Sequence, residues 1–171
     1  AGAPAVALAG AQLLPPGRSY SFDAYRAGGD IQWRQLTGYF FVGADFYRKG
    51  GVNLLHAFKA VREVYSSAIL NIIGPKSLKI PSKYSAGVIY HGFLSKNNPY
   101  QRQKFEQIMN ESTIFVMPSL YEPFGIAPLE AMVYEIPCIL TNAWAFPEMV
   151  KPGVNGELVR CGDLNELTEK I

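Results

Sequence analysis

Cysteine is almost missing from the sequence: Cys138 and Cys161 are the two it has. They form no C-x-x-C and no ladder of pairs, so the fold does not hang on a disulfide framework, and two free thiols fit a reducing compartment. Histidine is as scarce, and no His/Cys cluster has metal-ligand spacing. Neither sign of charge dominates. There are 16 Lys+Arg against 14 Asp+Glu, net +2, with no long basic run, so nothing calls for nucleic acid. No stretch approaches the roughly 20 apolar residues of a membrane span. The opening AGAPAVALAG has neither a Met nor a charged leading region, and reads as a cut end rather than a signal peptide. No G-x-G-x-x-G follows an apolar run, which removes the usual dinucleotide fingerprint. Gly74-Pro75-Lys76-Ser77 lacks the Gly before Lys that a P-loop needs. No repeat of 20–50 residues is visible.

What is present is the composition of a globular domain: 171 residues, 49% hydrophobic and 18% charged, enough for one real core. Residues 1–38 are irregular. One short run, Ala5–Ala9, has strand character, and Pro15-Pro16-Gly17 and Gly28-Gly29 punctuate the rest. So long a structureless stretch is rare inside a compact domain, so it reads as a linker or the end of a preceding domain. Residues 39–171 form the regular part. Apolar runs at Tyr39–Gly43, Ala68–Ile73, Val88–Tyr90, Thr113–Met117, Pro137–Leu140 and Glu157–Val159 predict strands. Helical periodicity falls between them, over Val52–Tyr65, after Asn98-Pro99, over Ala127–Tyr134 and, as one short turn, over Phe146–Val150. Asp163-x-x-Glu166 signals a capping box opening a last helix, cut short at Ile171. Strands alternating with helices predict an α/β fold with a parallel sheet, Rossmann-like and flanked by helices. Ligands of such sheets bind outside the carboxyl ends of the strands, so the loops after Gly43, Gly74, Tyr90, Met117 and Leu140 are where chemistry belongs.

The most informative of these is residues 117–132, MPSLYEPFGIAPLEAM. It follows a predicted strand. Glu122 sits in the loop, Pro123-Phe124-Gly125 turns the chain, Pro128 marks the first turn of a helix, and Glu130 falls inside that turn. Unpaired N–H groups of Gly125, Ile126 and Ala127, backed by the helix dipole, suit an anion such as phosphate. Gly125 permits close backbone approach. Glu122 and Glu130 flank that position, and carboxylates accept hydrogen bonds from sugar hydroxyls. A phosphate between two sets of hydroxyls describes a nucleotide-sugar. The bland reading is ordinary dipole complementation by a helix-start Glu. The spacing alone is weak, and the strand–Glu–turn–helix–Glu context carries the signal.

On these residues the chain resembles the large retaining GT-B glycosyltransferase family that includes glycogen synthase and sucrose synthase, whose donor-site motif is Glu-x7-Glu. FVGADFYRKGGVNLLHAF, NIIGPK, VIYHGFL and IPCILTNAWAFPEMVKPGVNGELV fall in the family's order, so the resemblance covers about residues 39–171. It implies one half of a GT-B fold, the C-terminal donor-binding domain, with an N-terminal acceptor-binding domain missing. It implies transfer of a hexose from a nucleoside-diphosphate sugar to a glycan or other acceptor. No cofactor or metal is implied, in keeping with the lack of an Asp-x-Asp pair. By the same resemblance Lys49 contacts the donor pyrophosphate, with Arg48 beside it. Glu122 touches the transferred sugar, and Glu130 binds the ribose. Gly125 and Ile126 hold phosphate through their amides in the Phe124 turn. Gly43 ends the first strand of the site, and Phe93-Leu94 borders the base. A cytoplasmic setting follows, with contact at the cytoplasmic membrane face left to the missing domain.

The sequence departs from the family pattern in places. Ala44 stands where many members have a phosphate-binding Arg. Either Arg48 substitutes for it, or the domain is a non-catalytic sugar-nucleotide-binding or protein-interaction module of the same fold. Glu135 replaces a common Gly, and Ala143–Phe146 is bulkier than usual. His56 and His91 read as packed or exposed rather than catalytic. Cys138 reads as core and Cys161 as a loop thiol without a neighbouring base. Trp144 fits either a hydrophobic plug or a surface that meets a sugar.

Overall fold

The computed structural model describes residues 38–171. The readings made on the first 37 residues, the Ala5–Ala9 strand and the linker among them, lie outside the described residues. The sheet begins one residue before the expected start, with β1 at Gly38–Val42, followed by α1, Gly51–Val64. Then come β2, Ile69–Ile73, a 3-10 turn at Ser82–Tyr84 that the sequence reading missed, and β3, Val88–Tyr90. The second half has α2, Pro99–Glu111, β4, Ile114–Met117, α3, Ile126–Val133, and β5, Cys138–Thr141. It closes with α4, Phe146–Met149, β6, Gly156–Val159, and α5, Leu164–Lys170.

The six strands are all parallel, in the order β3-β2-β1-β4-β5-β6. That is the Rossmann order, and it fixes the geography of any site. The chain moves outward from β1 through β2 to β3, returns through α2 to β4, and moves outward the other way. Connections on either side of the β1/β4 seam therefore leave the sheet in opposite directions and open a crevice at the strands' carboxyl ends. The seam is registered by Tyr39 opposite Ile114 and Phe40 opposite Phe115.

The core shows why these residues choose this arrangement. Successive side chains of a strand point to opposite faces. Tyr39 meets Phe58 of α1 edge-on at 5.4 Å, whereas Phe40 meets Phe105 of α2 at 6.1 Å. One aromatic pair thus keys a helix layer to each face. β4 and β5 are buried along their whole length, which is what continuous apolar runs require in a sheet covered on both sides. α2 starts as expected, with the Asn98 side chain accepting the Gln101 amide at 3.1 Å and Pro99 in the first turn. Among the described residues no helix is long and apolar enough to cross a membrane.

Candidate functional site at the β1/β4 seam

The loop after β1 and the loop after β4 are locked together before any side chain is considered. The Leu120 amide donates to the Arg48 carbonyl at 2.8 Å. Gly50, at φ 74°, lies so close to the other loop that a Cβ there would sit 1.9 Å from the Pro118 carbonyl oxygen. Only glycine meets both demands, the left-handed backbone and the contact. The first loop is itself a tight coil: the Asp45 carboxylate accepts the Arg48 amide at 3.1 Å, and the Asp45 carbonyl accepts the Lys49 amide at 3.1 Å.

This docking brings two of the expected residues into contact. Lys49 Nζ is 2.6 Å from Glu122 Oε2, and both side chains are largely buried. The Lys49 stem runs beside Gly43, where a Cβ would stand 2.6 Å from Lys49 Cδ. Gly43 is thus the floor along which the lysine reaches the mouth. A largely buried cation and carboxylate joined by one short bond at the end of a sheet form a charge pair whose separation costs free energy unless another polar group takes the place of the lost partner.

The turn beyond Glu122 is shaped by Gly125, at φ 82° and ψ 93°. A Cβ on it would meet Phe146 Cε1 at 2.8 Å and Glu122 Cγ at 3.3 Å, so glycine closes the turn on the carboxylate. α3 begins at Ile126 without a side-chain cap, leaving the first-turn amides open. Phe124 and Ile126 are exposed at this edge. One expectation changes: Pro128 is the third residue of the helix rather than its start, and Glu130 therefore belongs to the second turn. Helical Ile126 and Ala127 precede the proline because its missing N–H costs nothing in a first turn.

Arg48 is engaged elsewhere. Its Nε pairs with Asp45 Oδ2 at 3.0 Å and its Nη1 donates to the Tyr121 carbonyl at 2.8 Å, so it clamps loop to loop. The Arg48 amide and side chain also hold the Asp45 carboxyl below the usual carboxylate range. Glu130 stands apart from the Lys49–Glu122 pair. It is ion-paired with Lys96, in the loop after β3, and the two line a cleft of about 300 Å³ with Arg102, Phe105, Val133 and Tyr134. Phe93 and Leu94 belong to that same loop, Phe93 exposed and Leu94 half-buried. The structure therefore holds two groups: Gly43, Lys49, Glu122 and Gly125 on the seam, and Glu130 with Lys96 beside the Phe93-Leu94 loop.

Sequence reasoning missed Lys96, since a lone loop lysine looks like solvated charge. It also missed the backbone at Trp144, which takes φ 55°, a conformation unfavourable for a bulky residue. Trp144 packs edge-on against Tyr121 at 5.8 Å and Phe146 at 6.3 Å. Part of it is a plug behind the Gly125 turn, and part stays accessible. His91 is a packed histidine, its Nε2 2.8 Å from Asn71 Oδ1, and Cys138 is core, its thiol pushed up to about 12 by burial.

Comparison with known proteins identifies the family of the domain. The family described as glycosyl transferases group 1 matches residues 37–171. A lipopolysaccharide 1,6-galactosyltransferase of Salmonella typhimurium is 36% identical over 80 residues, 46% of this chain and 21% of that protein. A mannosyltransferase of Mycolicibacterium hassiacum, "MMP alpha-(1->4)-mannosyltransferase", is 30% identical over 131 residues, 73% of this chain and 31% of that protein. Among solved structures, a lipopolysaccharide outer core galactosyltransferase in its apo form superposes with a TM-score of 0.61 at 27% identity, covering 78% of this chain and 39% of that one. The chain thus spans about a third or less of the length of these curated relatives.

Proposed function

The chain belongs to the group 1 glycosyl transferases, a domain of GT-B type, and from that premise we propose that it is the donor-binding part of a retaining, metal-independent hexosyltransferase of the Glu-x7-Glu kind. The observation that carries the reading is the Lys49–Glu122 pair held at the strand-order switch beside the uncapped start of α3. A nucleoside-diphosphate sugar would enter with its phosphates at Lys49 and the amides of Ile126 and Ala127. Lys49 would exchange its bond to Glu122 for one to the diphosphate. The charge that develops on the leaving diphosphate in the transition state then meets a fixed cation and fixed dipoles, which act without a metal. Glu122, released, would accept hydroxyls of the hexose, and Glu130 those of the ribose. The acceptor would be a glycan or similar molecule, held by a domain outside this chain.

Calorimetric titration with UDP, GDP and ADP tests this. One of the three binds, and Glu130→Ala weakens that binding about tenfold or more, the loss of hydrogen bonds to a charged group. If none binds at millimolar concentration, the reading fails.

One observation favours a second reading. Arg48, the candidate replacement for the family arginine at Ala44, is already held by Asp45 and Tyr121. A fold kept for binding sugar nucleotides without transfer would look the same. Joined to an acceptor domain, that module would bind the nucleotide and neither transfer nor hydrolyse the donor sugar, which a product assay with the tight-binding nucleotide-sugar decides.

A further inference from the structure

The cleft between α2 and α3 has a built floor. Glu130 Oε1 is bonded by Lys96 Nζ, and no described residue bonds Oε2. Lys96 Nζ also lies 4.6 Å from the centre of the Phe105 ring, over the start of the covered aromatic core. A cation over an aromatic face is attracted by the ring quadrupole, so Lys96 is held from below as well as from the side. Its loop is fixed too, the Ser95 amide donating to the Gln101 side chain at 2.8 Å. Lys96 is thus contacted on two sides while 47% exposed, and Glu130, on the second turn of α3 and 33% exposed, has one carboxylate oxygen bonded to it.

We propose that Lys96 is a positioning residue for nucleotide binding: it holds the Glu130 carboxylate so that Oε2 accepts the ribose hydroxyls, and it ties the Phe93-Leu94 loop to that event. This rests on the donor-binding reading above. The consequence is a coupling between Lys96 and the ribose hydroxyls that is independent of base and phosphate. Without Lys96 the carboxylate turns among several rotamers, and part of the binding energy goes to fixing it again.

The test is a titration of the 171-residue chain with the nucleoside diphosphate that binds best and with its 2′,3′-dideoxy counterpart. Wild type, Lys96→Met and Lys96→Arg are compared, each checked for an unchanged melting temperature without ligand. Lys96→Met weakens the ribonucleotide about fivefold to tenfold, the size of coupling within one polar network, and leaves the dideoxy compound unaffected. Lys96→Arg restores most of the loss. Equal weakening of both compounds, or of neither, overturns the proposal while leaving the donor reading intact. Failure of wild type to bind any nucleoside diphosphate overturns both.

Discussion

At the scale of single residues, the site is made by what glycine allows and by what burial forbids. Gly50, at φ 74° and ψ 18°, takes left-handed backbone, whereas Gly125, at φ 82° and ψ 93°, has a positive φ outside that well, and their neighbours differ too. At Gly50 a methyl would strike the Pro118 carbonyl, backbone that cannot turn aside, and at Gly125 it would strike the edge of the Phe146 ring, which can tilt. Gly125→Ala is expected to destabilise by about 1–3 kcal/mol, mostly from the backbone conformation. Gly50→Ala should cost about 3 kcal/mol or more, because overpacking adds to strain. Urea denaturation of the two variants checks the order, and an equal or reversed loss contradicts the steric account. His91 contributes to the pH dependence of stability just below neutral. Burial, with the charge of Lys104 as a lesser cause, holds it below its ordinary value of 6.5. As pH falls through that value, the unfolded chain takes up the proton before the folded one does, so stability declines toward acid. His91→Gln should flatten stability against pH between neutral and about pH 5, the range set by an ordinary histidine. A slope unchanged by the substitution would remove His91 as its source.

Among elements, helix ends decide most of what the site can do. α3 ends in a complete Schellman arrangement: the Ile136 amide reaches the Ala131 carbonyl at 3.0 Å and the Glu135 amide the Met132 carbonyl at 2.9 Å. The position between demands left-handed backbone, and Glu135 supplies it at φ 57° although the residue is exposed and its side chain bonds none of the described residues. Glu135→Gly is therefore expected to raise stability by about 1 kcal/mol, read as a higher urea midpoint at unchanged slope. Loss of stability would mean that the glutamate has a role in the fold. The start of α5 behaves differently from its sequence signature. Asp163 accepts the Glu166 amide at 2.9 Å as a capping box requires, but the Glu166 carboxylate takes the Arg160 amide at 2.8 Å instead of the one at Asp163. The Asp163 amide is already used by the Arg160 carbonyl at 3.1 Å, so the reciprocal arm finds the next free donor. The Asn98 cap and Phe146–Met149 turn, by contrast, follow from local chemistry and were readable as such.

For the whole molecule, α5 closes the core rather than decorating it. It packs on α1, Leu167 is almost fully buried, and the Tyr39 hydroxyl crosses from the first strand to donate to the Ile171 carbonyl at 3.0 Å. Burial also pushes the Tyr39 hydroxyl up to about 12, so this bond persists through the ordinary pH range. Leu167→Ala should cost about 2–4 kcal/mol, transfer plus cavity, by chemical denaturation. A loss below about 1 kcal/mol would make α5 peripheral. Sequence alone determined the strands, because a strand buried on both faces needs a continuous apolar run. It determined the Glu122–Gly125 turn and the parallel α/β class, because those are local or follow from alternation. The family resemblance pointed to a glycosyltransferase, and the family match over residues 37–171 shows that family. What only the tertiary structure decided is which loops meet. Lys49 finds Glu122 across 73 positions of chain, and Lys96 finds Glu130 across 34. Arg48 turns to Asp45 and Tyr121 rather than to the open mouth. The physical reason is the strand order: hydrogen-bonded pairing sets β1 beside β4, and side-chain partners at the carboxyl ends are whatever that neighbouring brings within reach.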